Sequence, residues 1–115
     1  MRNKIIAMGT PGRTVKQRVW SALGHLFFTR GFYQTAIFIF TKEINDRPSA
    51  PAYLMRAKAH YEKGDDAKAL LDVRASLQLE PSHDAHNFHG VLQFKSGDLG
   101  GAESSFSMAI AGANN

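Results

Sequence analysis

The stretches Arg30-Gly-Phe-Tyr-Gln-Thr-Ala36, Lys63-Gly-Asp-Asp-Ala-Lys-Ala69 and Ser96-Gly-Asp-Leu-Gly-Gly-Ala102 decide the fold of this chain. Each sets a glycine five residues before an alanine, and Gly31, Gly64 and Gly97 stand 33 residues apart. Pro48 and Pro81 repeat the same interval. A fixed period of this size marks stacked supersecondary units, each too small to bury its own apolar face, so that neighbours complete one another's core. Function is then sought on the surfaces of the stack rather than in an enclosed pocket.

Working outward from the first glycine, Val19, Trp20, Leu23, Leu26 and Phe27 recur at helical spacing before it, and Ala36, Ile37, Phe40 and Ile44 after it. The pattern predicts helices over 15–30 and 33–46, then 51–63 and 66–79, then 83–96 and 99–111. Thr14 with Gln17 forms a capping-box pattern, and the glycines suit the left-handed turn that ends a helix cheaply. Asp65 and Asp98 are placed to cap the helices that follow, and His83 is read as the cap of the fifth helix. Gly24, Ala57 and Gly90 match Ala36, Ala69 and Ala102 on facing helices, where small side chains let two backbones approach. The domain reading is a basic arm over 1–14, three repeats over 15–48, 49–81 and 82–111, and a tail over 112–115.

At these positions the first unit reads Trp20-x2-Leu23-Gly24-x2-Phe27, then Ala36-x3-Phe40, then Pro48, which resembles the tetratricopeptide-repeat signature. The second unit keeps Ala57, Gly64, Ala69 and Pro81 but has Tyr53, Arg56, His60 and Val73 at the places of Trp20, Leu23, Phe27 and Phe40. The third keeps Gly90, Gly97, Ala102, Phe106 and Ala109, with His86, His89 and Gln93 at the others. The resemblance implies an all-α solenoid of three helix-turn-helix hairpins wound into a right-handed superhelix, with each junction one residue shorter than the usual period of about 34.

Composition narrows the function classes. A length of 115 residues is one domain with no room for a separate catalytic one, and the absence of cysteine excludes disulfides and cysteine-built metal sites. It also leans toward an intracellular location, cytoplasmic or organellar, mitochondrial included, and association with a membrane complex is compatible with it. The apolar run Ala36 to Phe40 falls far short of the roughly 20 residues of a membrane span. Met1 to Met8 lacks the apolar segment of a secretory signal, and Gly9-Thr-Pro-Gly-Arg-Thr14 lacks the ending of a phosphate loop and reads as a turn.

The net charge of +4 is polarised. Residues 1–42 hold seven basic groups and no acid, whereas 43–115 hold seven basic and ten acidic groups. Arg2, Lys4, Arg13, Lys16 and Arg18 therefore form an arm suited to an anionic partner: an acidic protein, RNA or lipid headgroups.

No motif carries catalysis. The serines at 104, 105 and 107 have no histidine in their segment, and His83-Asp84-x-His86-x-x-His89 offers two residues that could share an ion but lacks a third well-placed ligand. These histidines are read as packing residues, and no metal or cofactor is expected.

The resemblance implies a concave groove lined by the first helix of each hairpin. By position His25, Leu54, Met55, Lys58, Phe88 and Val91 are its candidate contacts, with Phe28, Tyr61 and Phe94 beside them. One branch of the family clamps chaperone C-terminal carboxylates with Lys and Asn, then Asn, then Lys and Arg. Those places here hold Ser21 and His25, Met55, and Asp84 and Phe88, so no cationic clamp residue is present. An apolar groove of this kind suits an amphipathic helix or extended apolar peptide, and Ile5-Ile-Ala-Met8 could itself fold back into it.

A second surface is expected at Phe38 and Ile39, which a hairpin needing only Ile37 and Phe40 would leave outward. The end of the stack, with Phe106, Met108 and Ile110, lacks a polar capping helix and invites a partner or self-association. The functional expectation is a non-catalytic interaction scaffold, a small subunit of a multiprotein assembly. Alternatives are an assembly factor or chaperone-like adaptor that holds a partner helix in the groove, and an RNA-associated protein acting through its basic arm.

Overall fold

The computed structural model describes residues 14–113, with the side chains of Thr14 to Gly112. They form six helices: α1 (Val15–Thr29), α2 (Tyr33–Asp46), α3 (Ala50–Glu62), α4 (Asp66–Leu79), α5 (His83–Ser96) and α6 (Leu99–Ala113). Consecutive helices pack against each other along the chain, most extensively within the pairs α1–α2, α3–α4 and α5–α6. The result is an all-α solenoid of three hairpins. Arg2, Lys4, Arg13 and the Ile5–Met8 segment lie outside the described residues.

Local chemistry explains the helix ends. Thr14 Oγ1 accepts from the Gln17 amide at 3.1 Å while Gln17 Oε1 accepts from the Thr14 amide at 3.3 Å, closing a reciprocal capping box. Asp65 accepts from the Lys68 amide and Asp98 from the Gly101 amide. The fifth helix is capped by Ser82, which accepts from the Ala85 amide, and His83 is its first helical residue rather than its cap. Ser49 caps α3 in the same way, one repeat earlier. Gly31, Gly64 and Gly97 adopt φ of +84°, +88° and +92°, the left-handed conformation that L side chains resist.

Each hairpin is closed by a small residue under a large one. A Cβ at Gly24 would lie 2.5 Å from Phe40, and one at Gly90 2.7 Å from Phe106. At the corresponding places in the middle hairpin Ala57 and Val73 share one core cluster. The first helix gains a methyl where the second loses a ring, so size is traded across the interface and part of the lost volume is recovered.

A second registered set lies beside the first in each hairpin. In the middle one the Arg56 guanidinium donates to Asp72 through Nε at 2.7 Å and Nη2 at 2.8 Å, and through Nη1 to Thr41 Oγ1 on α2 at 3.1 Å. His60 Nε2 stands 3.6 Å from the same carboxylate. In the third hairpin Ser105 Oγ donates to Gln93 Oε1 at 2.6 Å and lies 3.4 Å from His89 Nδ1. The first hairpin has Leu23, Phe27 and Ile39 at these three places.

This register corrects the expectation for Ile39. Ile39, Asp72 and Ser105 are each only 6 % exposed, because the position turns toward the hairpin's own first helix. Phe38 does face outward, 58 % exposed with Lys42 Nζ 5.2 Å from its ring centre. Leu71, one repeat on, is exposed as well.

Candidate partner-binding groove

The candidate groove residues lie on the first helices of the hairpins, α1, α3 and α5. Lys58 on α3 reaches Asp84 on α5 at 3.1 Å, and the rings of Tyr61 and Phe88 meet edge to face at 5.6 Å, which brings these two helices side by side. Lys95 Nζ lies 4.7 Å from the Tyr61 ring centre and 3.0 Å from Asp66. The Asp66 hydrogen bond raises the Lys95 pKa above its ordinary value. Farther along α5, Val91 is partly exposed and Phe94 is 63 % exposed.

The candidate residues separate into classes that spacing alone did not distinguish. Met55 and Phe88 are half-buried, with Phe88 packed against the central core. Leu54 is a core residue instead of a groove contact: it is buried in one cluster with Ala57, Ala69, Val73, Ala85 and Leu92. The following hairpin covers it, leaving a shallow cleft of about 300 Å³ bounded by Pro51, Leu54, Ser82 and Asp84. His25 is exposed, with Nδ1 2.8 Å from the Ser21 carbonyl and its ring edge-on to Phe40 at 5.6 Å. Lys58 keeps its ammonium near the groove but spends it on Asp84.

That ion pair sets the electrostatics. A carboxylate entering beside Lys58 meets the Asp84 charge at the same point, and the opposing desolvation leaves little net attraction. The groove is thus an apolar and aromatic strip with an internally neutralised cation, chemically unlike a carboxylate clamp.

Elsewhere the basic residues are dispersed. Lys16 lies on α1, 3.5 Å from Asp46, and Arg18 is exposed on the same helix. At the far end of the stack His83, Asp84, Asn87, Phe106, Ala109 and Ile110 line an open cleft of about 460 Å³. It repeats the Pro51–Leu54 cleft one unit later, open because no hairpin follows in the described chain. Met108 and Ile110 are exposed there, with Glu103 at the place where α4 presents Leu70.

Among the described residues no three His, Asp or Glu side chains gather as a metal set, and no helix is long and apolar enough to cross a membrane. His60 and His89 have pKa values lowered by burial, outweighing the Asp72 charge beside His60. Sequence reasoning missed the Arg56–Asp72–His60 network, although three polar residues at Leu, Phe and Ile places of the first unit were a usable signal.

No protein-family profile matches the sequence, and neither does any curated protein. Solved structures do. The second tetratricopeptide domain of Spaghetti (RPAP3), bound to the HSP90 peptide SRMEEVD, superposes with a TM-score of 0.81 at 23 % identity, over 85 % of this chain and 93 % of that one. The Sgt2 domain from Aspergillus fumigatus gives 0.84 at 23 %, over 90 % and 70 %. PcrH in complex with the chaperone-binding region of PopB gives 0.82 at 23 %, over 91 % and 87 %. With three registered hairpins and that architecture, this chain has the tetratricopeptide-repeat fold in three repeats.

Proposed function

We propose that the chain is a non-catalytic protein-interaction scaffold that holds an apolar helical or extended segment of another protein in the groove of α1, α3 and α5. The observation that carries this reading is the strip of Met55, Tyr61, Phe88, Val91 and Phe94 beside a lysine already neutralised by Asp84. Apolar area recognises apolar area, at roughly 25 cal/mol per Å² removed from water, and nothing in the strip selects a terminal carboxylate. The exposed Phe38 and Leu71 on the outer side favour a chain that works as a small subunit of a larger assembly.

A second reading is a chaperone-like adaptor that shields a partner segment. It is favoured by the likeness to PcrH, which is seen with the chaperone-binding region of PopB. The likeness to a Spaghetti domain holding SRMEEVD does not extend to the groove chemistry, since Ser21, His25, Met55, Asp84 and Phe88 stand at the clamp places. The test is calorimetric titration of SRMEEVD into the wild type and into a Ser21→Lys, His25→Asn, Met55→Asn, Asp84→Lys, Phe88→Arg variant. The wild type should show no saturable heat and the five-site variant a dissociation constant at or below about 100 µM, worth roughly 5.5 kcal/mol. Wild-type binding of that strength would overturn the apolar-groove reading.

A further inference from the structure

The repeat register exposes a second docking surface, at the start of the stack. In α3 and α5 the places of Val19 and Leu26 are taken by Ala52 and Ala59, then by Ala85 and Leu92, all at most 4 % exposed. A helix of the preceding hairpin covers them: α2 lies on α3, and α4 on α5, where Ala85 and Leu92 join Val73, Leu70 and Leu77. Nothing precedes α1 among the described residues. Yet it carries larger apolar side chains on this face, with Val15 74 %, Val19 50 % and Leu26 44 % exposed. Leu23 continues the stripe. The 4-4-3 spacing runs about 16 Å along one side of the helix, matching three turns of a partner helix.

Charge identifies the occupant. Arg18 lies on one flank of the stripe and Arg30 stands at its end, Lys16 on the other flank is held 3.5 Å from Asp46 of α2, and α1 itself contains no acid. Arg18 and Arg30 have no ion-pair partner among the described residues. A second copy docked α1 to α1 would oppose these cations to themselves. Were the chain's own residues 1–13 the occupant, Arg2, Lys4 and Arg13 would add cations beside Arg18 and Arg30. A second copy docked through α6 would offer Glu103 where α4 presents Leu70, setting a carboxylate within the apolar face rather than on its flank, with Phe106 and Ile110 at the places of Val73 and Leu77. We infer that the Val15–Leu26 face of α1 docks an amphipathic helix of a different protein whose apolar stripe is flanked by acidic residues, which continues the stack by one helix.

The probe is a synthetic helical peptide with leucines at i, i+4, i+7 and i+11 and glutamates on both flanks, titrated by fluorescence anisotropy into the full chain. Its isomer with lysine flanks is the comparison. The glutamate peptide should bind at least about tenfold more tightly than the lysine peptide and weaken as salt screens the contact. Val19→Ser with Leu26→Ser, both at exposed sites, should lose about tenfold or more with an unchanged thermal melt. Phe88→Ser, in the groove, should leave this affinity intact, which separates the surface from the groove reading. Equal binding of the two peptides, no binding, or indifference to the α1 pair overturns the inference. So does a gain in affinity on deleting residues 1–13, which would make the arm the occupant. Self-association abolished by the α1 pair would make it a second copy.

Discussion

Placing a methyl at Gly24 tests whether the hairpins are closed by size-matched pairs. In Gly24→Ala the new Cβ would sit 2.5, 2.6 and 2.9 Å from three Phe40 ring atoms, where carbon contacts normally begin near 3.4 Å. Phe40 is fully buried, so its ring has no free space to enter. Overpacking of this kind costs about 1–3 kcal/mol, offset by about 1 kcal/mol for the better helix propensity of alanine. Gly24→Ala should therefore lose about 0–2 kcal/mol net, up to several degrees in melting temperature. The decisive step is Gly24→Ala with Phe40→Val, which installs the Ala57/Val73 pair of the middle hairpin. Phe40→Val alone leaves a cavity and loses about 2 kcal/mol or more. In the double variant the methyl fills part of that cavity, so urea unfolding followed by circular dichroism should give a favourable coupling of at least about 1 kcal/mol. Additivity within about 0.5 kcal/mol would refute the reasoning, because independent sites add.

Removing one partner of the part-buried pair by Asp72→Ala leaves Arg56, whose pKa is raised above its ordinary value by the Asp72 hydrogen bond, with Thr41 as its remaining partner, and should cost about 1–3 kcal/mol in the same unfolding assay. Transplanting the first hairpin's apolar set, Arg56→Leu with His60→Phe and Asp72→Ile, should be neutral or stabilising, and a loss as large as that of Asp72→Ala would refute the register. Burial lowers the His60 and His89 pKa values below 6.5, so between the folded values and 6.5 the unfolded chain binds more protons. Stability is complete above about pH 6.5 and falls as the solution is acidified through that window. Thermal melts from about pH 7.5 to 5 should show the fall, and it should shrink in a His60→Gln, His89→Gln variant.

Much of the architecture was legible because it is written in local chemistry. The left-handed glycine turns, the Thr14–Gln17 box and the Asp65 and Asp98 caps each involve residues within a few positions of one another. The Ser82 cap was legible too, since Ser49 stands one period before it, but attention to the histidines obscured it. The groove was readable only as a set of helix faces. Leu54 and Met55 are adjacent, and the first is core because α5 closes over it. Lys58 meets a carboxylate 26 residues away, a pairing that no helical periodicity reports.

The sequence by itself determined the repeat, its hairpins and the small-residue contacts inside them, because turn conformation and helical period depend on near neighbours. The tertiary structure decided which equal-looking faces are covered. Ile39 is buried because its position turns onto the first helix of its own hairpin, as Asp72 does onto Arg56, and Val19 and Leu26 are exposed because α1 has no helix before it among the described residues. Burial depends on what lies across an interface, and in a stack that is set by position along the solenoid rather than by the residues of the repeat.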